Sequence, residues 1–391
     1  MPKAERREPS YPTRLLGGFG IRADEQQVSV SVQVGAPGCG VLDEPLLLFP
    51  VMKTVFITAG LCVVLAATGC SGSEAATPSG PTGPASPVQL TNCGLPLGIG
   101  APPKRSITLE QNATEIMLSL GLGDRMVGTS YQTDPVLPQL RSAYEQVPVL
   151  AKLYPSREAV RAANPDFVYS TYSSAYAPDA AGSRADLVKL GVPAYLSPFA
   201  CENAADAIPT VSFDRIFSEI RDIAAVFGVP ERGEKLIREQ QGRLDTARRR
   251  VPTAVPSATG QPSADPSLLW YYSGTTTPYV AGHGGVPDAV SSLLGARNAF
   301  TDVNQKWPAG NWEEIARRNP DVIVVAHLTR GGDGDSAQSK IDFLRRNPVT
   351  SKLDAVVGGR IITVSGSSMD PSIRSVEAAE LVAAGLRGFV R

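Results

Sequence analysis

Two acidic side chains sit in matching surroundings in the two halves of this 391-residue chain. Residues 156–168 read Ser-Arg-Glu-Ala-Val-Arg-Ala-Ala-Asn-Pro-Asp-Phe-Val, and residues 311–323 read Asn-Trp-Glu-Glu-Ile-Ala-Arg-Arg-Asn-Pro-Asp-Val-Ile. In register, each copy holds Glu (Glu158, Glu313), one residue, a β-branched residue, three residues, Asn-Pro-Asp and an apolar run. An exposed carboxylate at a helix start favours the helix dipole and can pair with a basic group on a partner. The proline disfavours helix at the preceding Asn, so each helix ends there. The runs after it, 167–169 and 322–325, are short and β-branched, as core strands are. One copy is ordinary helix-to-strand punctuation. Two copies with matched acids imply two similar α/β lobes, each presenting one glutamate.

Other chemistries find little support. The chain has two histidines, His283 and His327, and neither has a ligand partner at helical spacing, so a free-metal receptor is a minor reading. No Gly-x-Ser-x-Gly, phosphate-loop or His-Glu-x-x-His pattern occurs, so an enzyme is also a minor reading. Gly282-His283-Gly284-Gly285 lacks the spacing of a phosphate loop. Net charge is −1 and no basic stripe interleaves with aromatics, so nucleic acid is not an expected partner.

Residues 52–70 read as an export signal. Lys53 supplies a positive start, Val55 to Ala67 the apolar stretch, and Ala67-Thr68-Gly69-Cys70 the small-residue exit. The run is short for a bilayer span, and its end resembles a bacterial lipobox in which Cys70 is lipidated. A signal works at an N-terminus, so residues 1–51 read as a mis-assigned extension and 71–90, rich in Ser, Gly and Pro, as a flexible tether. Of the five cysteines, Cys39, Cys62 and Cys70 are thereby set aside. Cys93 and Cys201 remain as an even pair in a compartment that permits disulfides; two free thiols are the alternative. Their bridge would close a loop of about a hundred residues, worth roughly 4–5 kcal/mol on the chain-entropy model.

These residues need elements to position them. Over 91–209, strands are expected at 106–109, 126–131, 167–172 and 194–197, with helices at 113–121, 156–163 and 182–190. Alternation in short units indicates a parallel sheet covered on both faces. Over 210–251, Phe213, Ile216, Phe217, Ile220 and Ile223 keep a helical period up to Gly228-Val229-Pro230. The pattern restarts with Leu236, Ile237 and Leu244. That second helix, about 30 Å long and polar on most of its surface, suits a bridge between lobes. Over 252–391, a loop to 266 precedes strands at 268–272, 322–325 and 361–364 and helices at 287–294, 312–318, 339–346 and 372–389.

The chain resembles the substrate-binding proteins of ABC importers for iron-siderophore complexes and vitamin B12. The resemblance covers about 104–391. In the first lobe it rests on Ala113-Thr114-Glu115-Ile116, Leu120-Gly121-Leu122, Asp124-Arg125-Met126-Val127-Gly128 and Pro155-Ser156-Arg157-Glu158 through Asn164-Pro165-Asp166. In the second it rests on Trp312-Glu313-Glu314-Ile315 through Asn319-Pro320-Asp321, Leu353-Asp354-Ala355-Val356, Gly359-Arg360-Ile361 and Pro371-Ser372-Ile373-Arg374. It implies an α/β fold of two Rossmann-like lobes with central parallel sheets, joined by one rigid helix, with the ligand cleft between them. It further implies a monomer at the outer face of the cell membrane, held by its lipid and working with an ABC permease and its ATPase subunits. In such proteins one glutamate on each lobe docks on permease arginines, and Glu158 and Glu313 match those positions. Both are expected one helix length from the ligand ends of the strands they lead into.

In an open α/β sheet, ligands sit at the carboxyl ends of strands. That rule selects Tyr131, Tyr172 and Tyr176 in the first lobe, and Tyr272, Tyr279, His283, Trp307 and Arg330 in the second. Arg374 joins them because it matches the family's Pro-x-x-Arg at the cleft mouth. Tyr169, Trp270, Tyr271 and Trp312 read as packing residues, and His327 as a hydrogen-bonded structural histidine. Aromatic walls with a few cations suit a large, partly planar, anionic ligand such as a ferric siderophore. Cobalamin, haem and a deazaflavin precursor are alternatives of similar size. No intrinsic cofactor or metal is expected.

Overall fold

The computed structural model describes residues 87–201, 210–257 and 261–390. The extension, the signal with Cys70 and the tether up to 86 lie outside the described residues. The end of the expected tether, from Val88, is instead a strand. β1 (Val88–Asn92) and β2 (Leu95–Ile99) form an antiparallel hairpin. Alternating burial lets Leu97 and Ile99 reach the core.

The first lobe carries β3 (Ser106–Leu109), α1 (Gln111–Ser119), β4 (Met126–Ser130), α2 (Arg141–Tyr144), β5 (Val149–Ala151), α3 (Arg157–Ala162), β6 (Phe167–Ser170), α4 (Arg184–Lys189) and β7 (Ala194–Leu196). Its five strands are all parallel, in the order β5-β4-β3-β6-β7. β3 and β6 are buried along their whole length, as a sheet covered on both faces requires. The edge strand β7 is covered by the hairpin. The Asn92 amide donates to the Leu196 carbonyl at 2.8 Å and accepts from its N–H at 2.9 Å, and a Cys93–Cys201 disulfide spans a Cα–Cα distance of 5.1 Å beside it. An edge whose backbone groups are filled this way offers no template for stray pairing.

Two helices lead out of this lobe. α5 (Phe213–Val226) buries Ile216, Phe217, Ile220 and Ile223. α6 (Pro230–Arg250) packs closely on it, since a Cβ at Gly233 would stand 2.6 Å from that of Ala224. α6 touches both lobes. Arg232 donates to the Leu120 and Gly121 carbonyls beyond α1, and Arg243 grips the Glu380 carboxylate at 3.0 and 2.6 Å on the last helix.

The second lobe carries β8 (Ser267–Ser273), β9 (Tyr279–Val280), α7 (Val286–Leu293), β10 (Arg297–Asn298), α8 (Trp312–Arg318), β11 (Val322–His327), α9 (Ala337–Arg346), α10 (Asp354–Val357), β12 (Ile361–Ser365) and α11 (Arg374–Gly388). The order is β10-β8-β11-β12, parallel throughout, with β9 antiparallel on β8.

The doubled Asn-Pro-Asp has a structural role in both lobes. Asn164 and Asn319 take left-handed φ of 46° and 42°, a conformation that Asn tolerates at a helix end. The aspartate then anchors the start of the neighbouring central strand. Asp166 accepts from the Lys104 and Arg105 N–H groups, each at 2.8 Å. Asp321 accepts from the Ser267 N–H at 2.7 Å and its hydroxyl at 2.9 Å. The repeat of Asn-Pro-Asp is thus explained by folding, and each matched glutamate stands in the first turn of its helix, where the dipole favours a carboxylate.

Candidate functional site

The cleft forms where the carboxyl ends of both sheets meet. β3 delivers Glu110, with Gln111 and Asn112 opening α1; β4 delivers Tyr131 and Thr133; β6 delivers Tyr172 and Ser174. From the other lobe β8 delivers Tyr272, β11 Leu328 and Arg330, and β12 Ser367 and Asp370. Tyr154, just before α3, completes a cavity of about 210 Å³. Four phenols therefore wall it.

Two of these positions carry backbone strain. Glu110 has φ 81° and Tyr131 φ 55°, in the left-handed half of the map that non-glycine residues enter at a cost of about 1–3 kcal/mol. Glu110 is 2 % exposed and accepts from the Thr171 N–H at 2.7 Å and the Ser170 hydroxyl at 2.9 Å. Burial pushes its carboxyl to about 8, against these hydrogen bonds, which pull it down. Burial likewise pushes Asp370 to about 6, with Tyr172 hydrogen-bonded to it across the cleft. Tyr172 keeps 39 % of its surface open, while burial of its hydroxyl end and the Asp370 carboxylate hold the phenol well above its ordinary range. The Tyr131 and Tyr154 rings lie 4.7 Å apart, and the Tyr272 ring rests on Trp307 at the same distance.

The raised Glu110 has a consequence for stability. The folded chain holds a proton that the unfolded chain releases near pH 4.5, so this contribution is complete below that pH and is lost as pH rises through about 8. Glu219, buried under Tyr169 and Ser197 and pushed to about 7, acts in the same direction. Glu110→Gln is therefore expected to unfold at a higher urea concentration relative to the native protein at pH 8.5 than at pH 5. An unchanged difference between the two pH values would show that Glu110 ionises freely in the fold.

Several residues selected from strand ends lie elsewhere. Tyr176 turns under the sheet, 7 % exposed, with its hydroxyl donating to the Tyr195 carbonyl at 2.7 Å. Tyr279 lies in β9, paired to β8 and bridged to Ala309, away from the cavity. His283 stands 3.3 Å from Asp288 at the start of α7, also away from it. Trp307 does not line the cavity; it backs Tyr272. Arg330 does line it, with its guanidinium on Asp335 at 2.7 Å. His327 accepts from the Ala337 N–H, as a structural histidine would.

Arg374 requires the largest correction. It is 4 % exposed and grips the Glu115 carboxylate of α1 with two nitrogens at 2.6 and 2.5 Å. It also donates to the Pro135 carbonyl at 2.6 Å. It is a strut between the lobes, with no face on the cavity. Thr329 to the Thr133 carbonyl (2.6 Å), the Ser367 N–H to Asp134 (2.9 Å) and Lys306 to the Phe199 carbonyl (3.0 Å) draw the lobes together beside it.

The position of the two glutamates also changes. A helix leading into a parallel strand begins at that strand's carboxyl end, so Glu158 and Glu313 lie at the cleft end of their sheets, not one helix length away. Glu158 follows Tyr154 of the cavity wall by four residues. Trp312, beside Glu313, donates to the Thr275 carbonyl just beyond β8. Both carboxylates are exposed and outside the cavity lining. Strand-end reasoning missed Glu110, Asn112, Tyr154, Ser367 and Asp370, although Glu110 directly follows the central strand β3.

Two parallel-sheet lobes, one spanning helix and a tyrosine-walled cleft at the strand ends define a two-lobe α/β binding protein. Residues 107–367 match the family model described as periplasmic binding protein, and the chain belongs to that family. A vitamin B12-binding protein of Vibrio campbellii is 24 % identical over 243 residues, 62 % of this chain and 78 % of that one. A periplasmic binding protein of Veillonella parvula superposes with a TM-score of 0.66 at 25 % identity, covering 77 % of this chain and 98 % of that one. An ABC-type Fe3+-hydroxamate transport protein of Saccharomonospora viridis does so at 0.63 and 22 %, covering 77 % and 99 %.

Proposed function

We propose that this protein is the extracytoplasmic receptor of an ABC importer, capturing an iron-siderophore-type chelate and passing it to a permease. The cavity carries the reading: four tyrosines from two lobes enclose it at the ends of both sheets, where open α/β folds bind ligands. Stacking walls with a few convergent polar groups are the usual make-up of a small-molecule site. Glu158 and Glu313, one per lobe and both exposed at the cleft end, would pair with basic groups of the permease. Cys70 would carry the lipid that keeps the receptor at the membrane.

A corrinoid is the second reading, favoured by the curated relative from Vibrio campbellii. Native mass spectrometry of the exported protein recovered from its own host's spent medium tests the choice. The expected result is an added mass containing one iron atom. A corrinoid mass would select the second reading, and a chemically altered ligand would point to catalysis.

A further inference from the structure

The groups that face the cavity have an unusual balance. Among the described residues one base lines it, Arg330, half exposed and with its guanidinium paired to Asp335. Arg374, the other candidate cation, is turned away into Glu115. Two carboxyls remain, Glu110 and Asp370. Glu110 is held by Thr171, Ser170 and Tyr154 and no base; the cation whose charge acts on Asp370 is Lys306, which hydrogen-bonds to the Phe199 carbonyl.

Two further wall residues carry polar atoms without protein partners. Asn112 Oδ1 opens α1 in one lobe and Ser367 Oγ follows β12 in the other. Asn112 is 4 % and Ser367 5 % exposed. A buried polar atom without a partner costs about 1–3 kcal/mol, and native proteins leave few. Both residues line the cavity, one from each lobe, so a ligand that draws these atoms in would complete their hydrogen bonds.

We propose that the cleft selects ferric chelates that are uncharged or positively charged, with N–H or O–H donors met by Glu110, Asp370, Asn112 and Ser367, and that it rejects polyanionic chelates. This inference rests on the iron-chelate reading given above and names the class of chelate. Its physical basis is desolvation: a polyanion entering this cavity loses its water, meets the Asp370 carboxylate and finds one base, already paired with Asp335, whereas a cation or a donor-bearing neutral molecule is compensated.

Three probes test it, titrated into the purified protein at pH 7 and followed by tyrosine fluorescence. They are a ferric trihydroxamate with no net charge, a ferric trihydroxamate bearing one free ammonium (net +1), and a ferric tris-catecholate (net −3). The first two are expected to bind at least about thirtyfold more tightly than the third. Asp370→Asn is expected to weaken the ammonium-bearing probe about tenfold relative to the neutral one, a ratio that a general loosening of the site would not move. Asn112→Ala is expected to weaken both trihydroxamates. A tris-catecholate that binds as tightly as the others would overturn the inference while leaving the receptor reading intact. Failure of all three chelates to bind would overturn both.

Discussion

Arg374→Met is expected to destabilise the protein by about 3–5 kcal/mol, the usual effect of removing one partner of a buried ion pair. The loss follows from what is left behind. Glu115 is fully buried and its carboxylate would keep only hydrogen bonds from the Gln111 amide and the Leu137 N–H. The pair also joins α1 to α11, so its loss removes a strut between lobes. Urea unfolding measures the change, and the double variant Glu115→Gln, Arg374→Met is expected to recover much of it, because no orphan charge then remains. A single variant as stable as the native protein would return Arg374 to the cleft mouth that its sequence pattern suggested. Direct loss of ligand contact is not expected, since Arg374 has no face on the cavity.

The second large effect concerns delivery. Glu158→Ala with Glu313→Ala is expected to leave ligand affinity in solution unchanged and to lower uptake by about tenfold or more at limiting ligand, the lower end of what charge steering contributes to association. Neither carboxylate lines the cavity, and each lobe loses the charge that would register it on a permease. Each single change is expected to do less, because the surviving carboxylate still fixes part of the orientation. The placement of both at the cleft end makes this stronger than the sequence pattern alone did: a permease approaching the mouth meets both at once. Normal uptake by the double variant would reduce the matched glutamates to helix-start residues.

Much of the fold was legible because it depends on local signals. The apolar runs at Phe167 and Val322 read as buried parallel strands, and Asn-Pro-Asp marked helix ends and strand entries in both lobes. The short strands β5, β9 and β10 escaped, since two or three residues carry no period to read. The first residues of β1, Val88 to Leu90, read as the end of a tether because a Ser/Gly/Pro-rich stretch runs directly into them. Cys93 is tied to Cys201 over a separation of 108 residues, and compartment logic had suggested that pair.

The site was legible only in part. Tyr131, Tyr172 and Arg330 follow their strands within a few residues, Tyr272 lies at the end of β8, and all four reach the cavity. Tyr176 follows β6 too, but a turn of 3₁₀ helix carries it under the sheet, and no residue type distinguishes those two outcomes. Arg374 is decided by Glu115, 259 residues away, which no local pattern reports. Glu110 was overlooked because a charged residue beside an apolar strand reads as a solvated helix start. Its strained backbone and burial become visible only in three dimensions.

The most direct measurement of the central claim is an equilibrium titration of the purified protein with an uncharged ferric trihydroxamate, compared with Tyr272→Ala. Tyr272 lines the cavity and rests on Trp307, so ligand stacked there should quench both rings. Saturable one-to-one quenching is expected, with affinity about tenfold or more weaker in the variant, roughly 1.4 kcal/mol per decade. Absence of saturable quenching in the native protein, or equal affinity in Tyr272→Ala, would contradict the cleft as the site that captures the chelate.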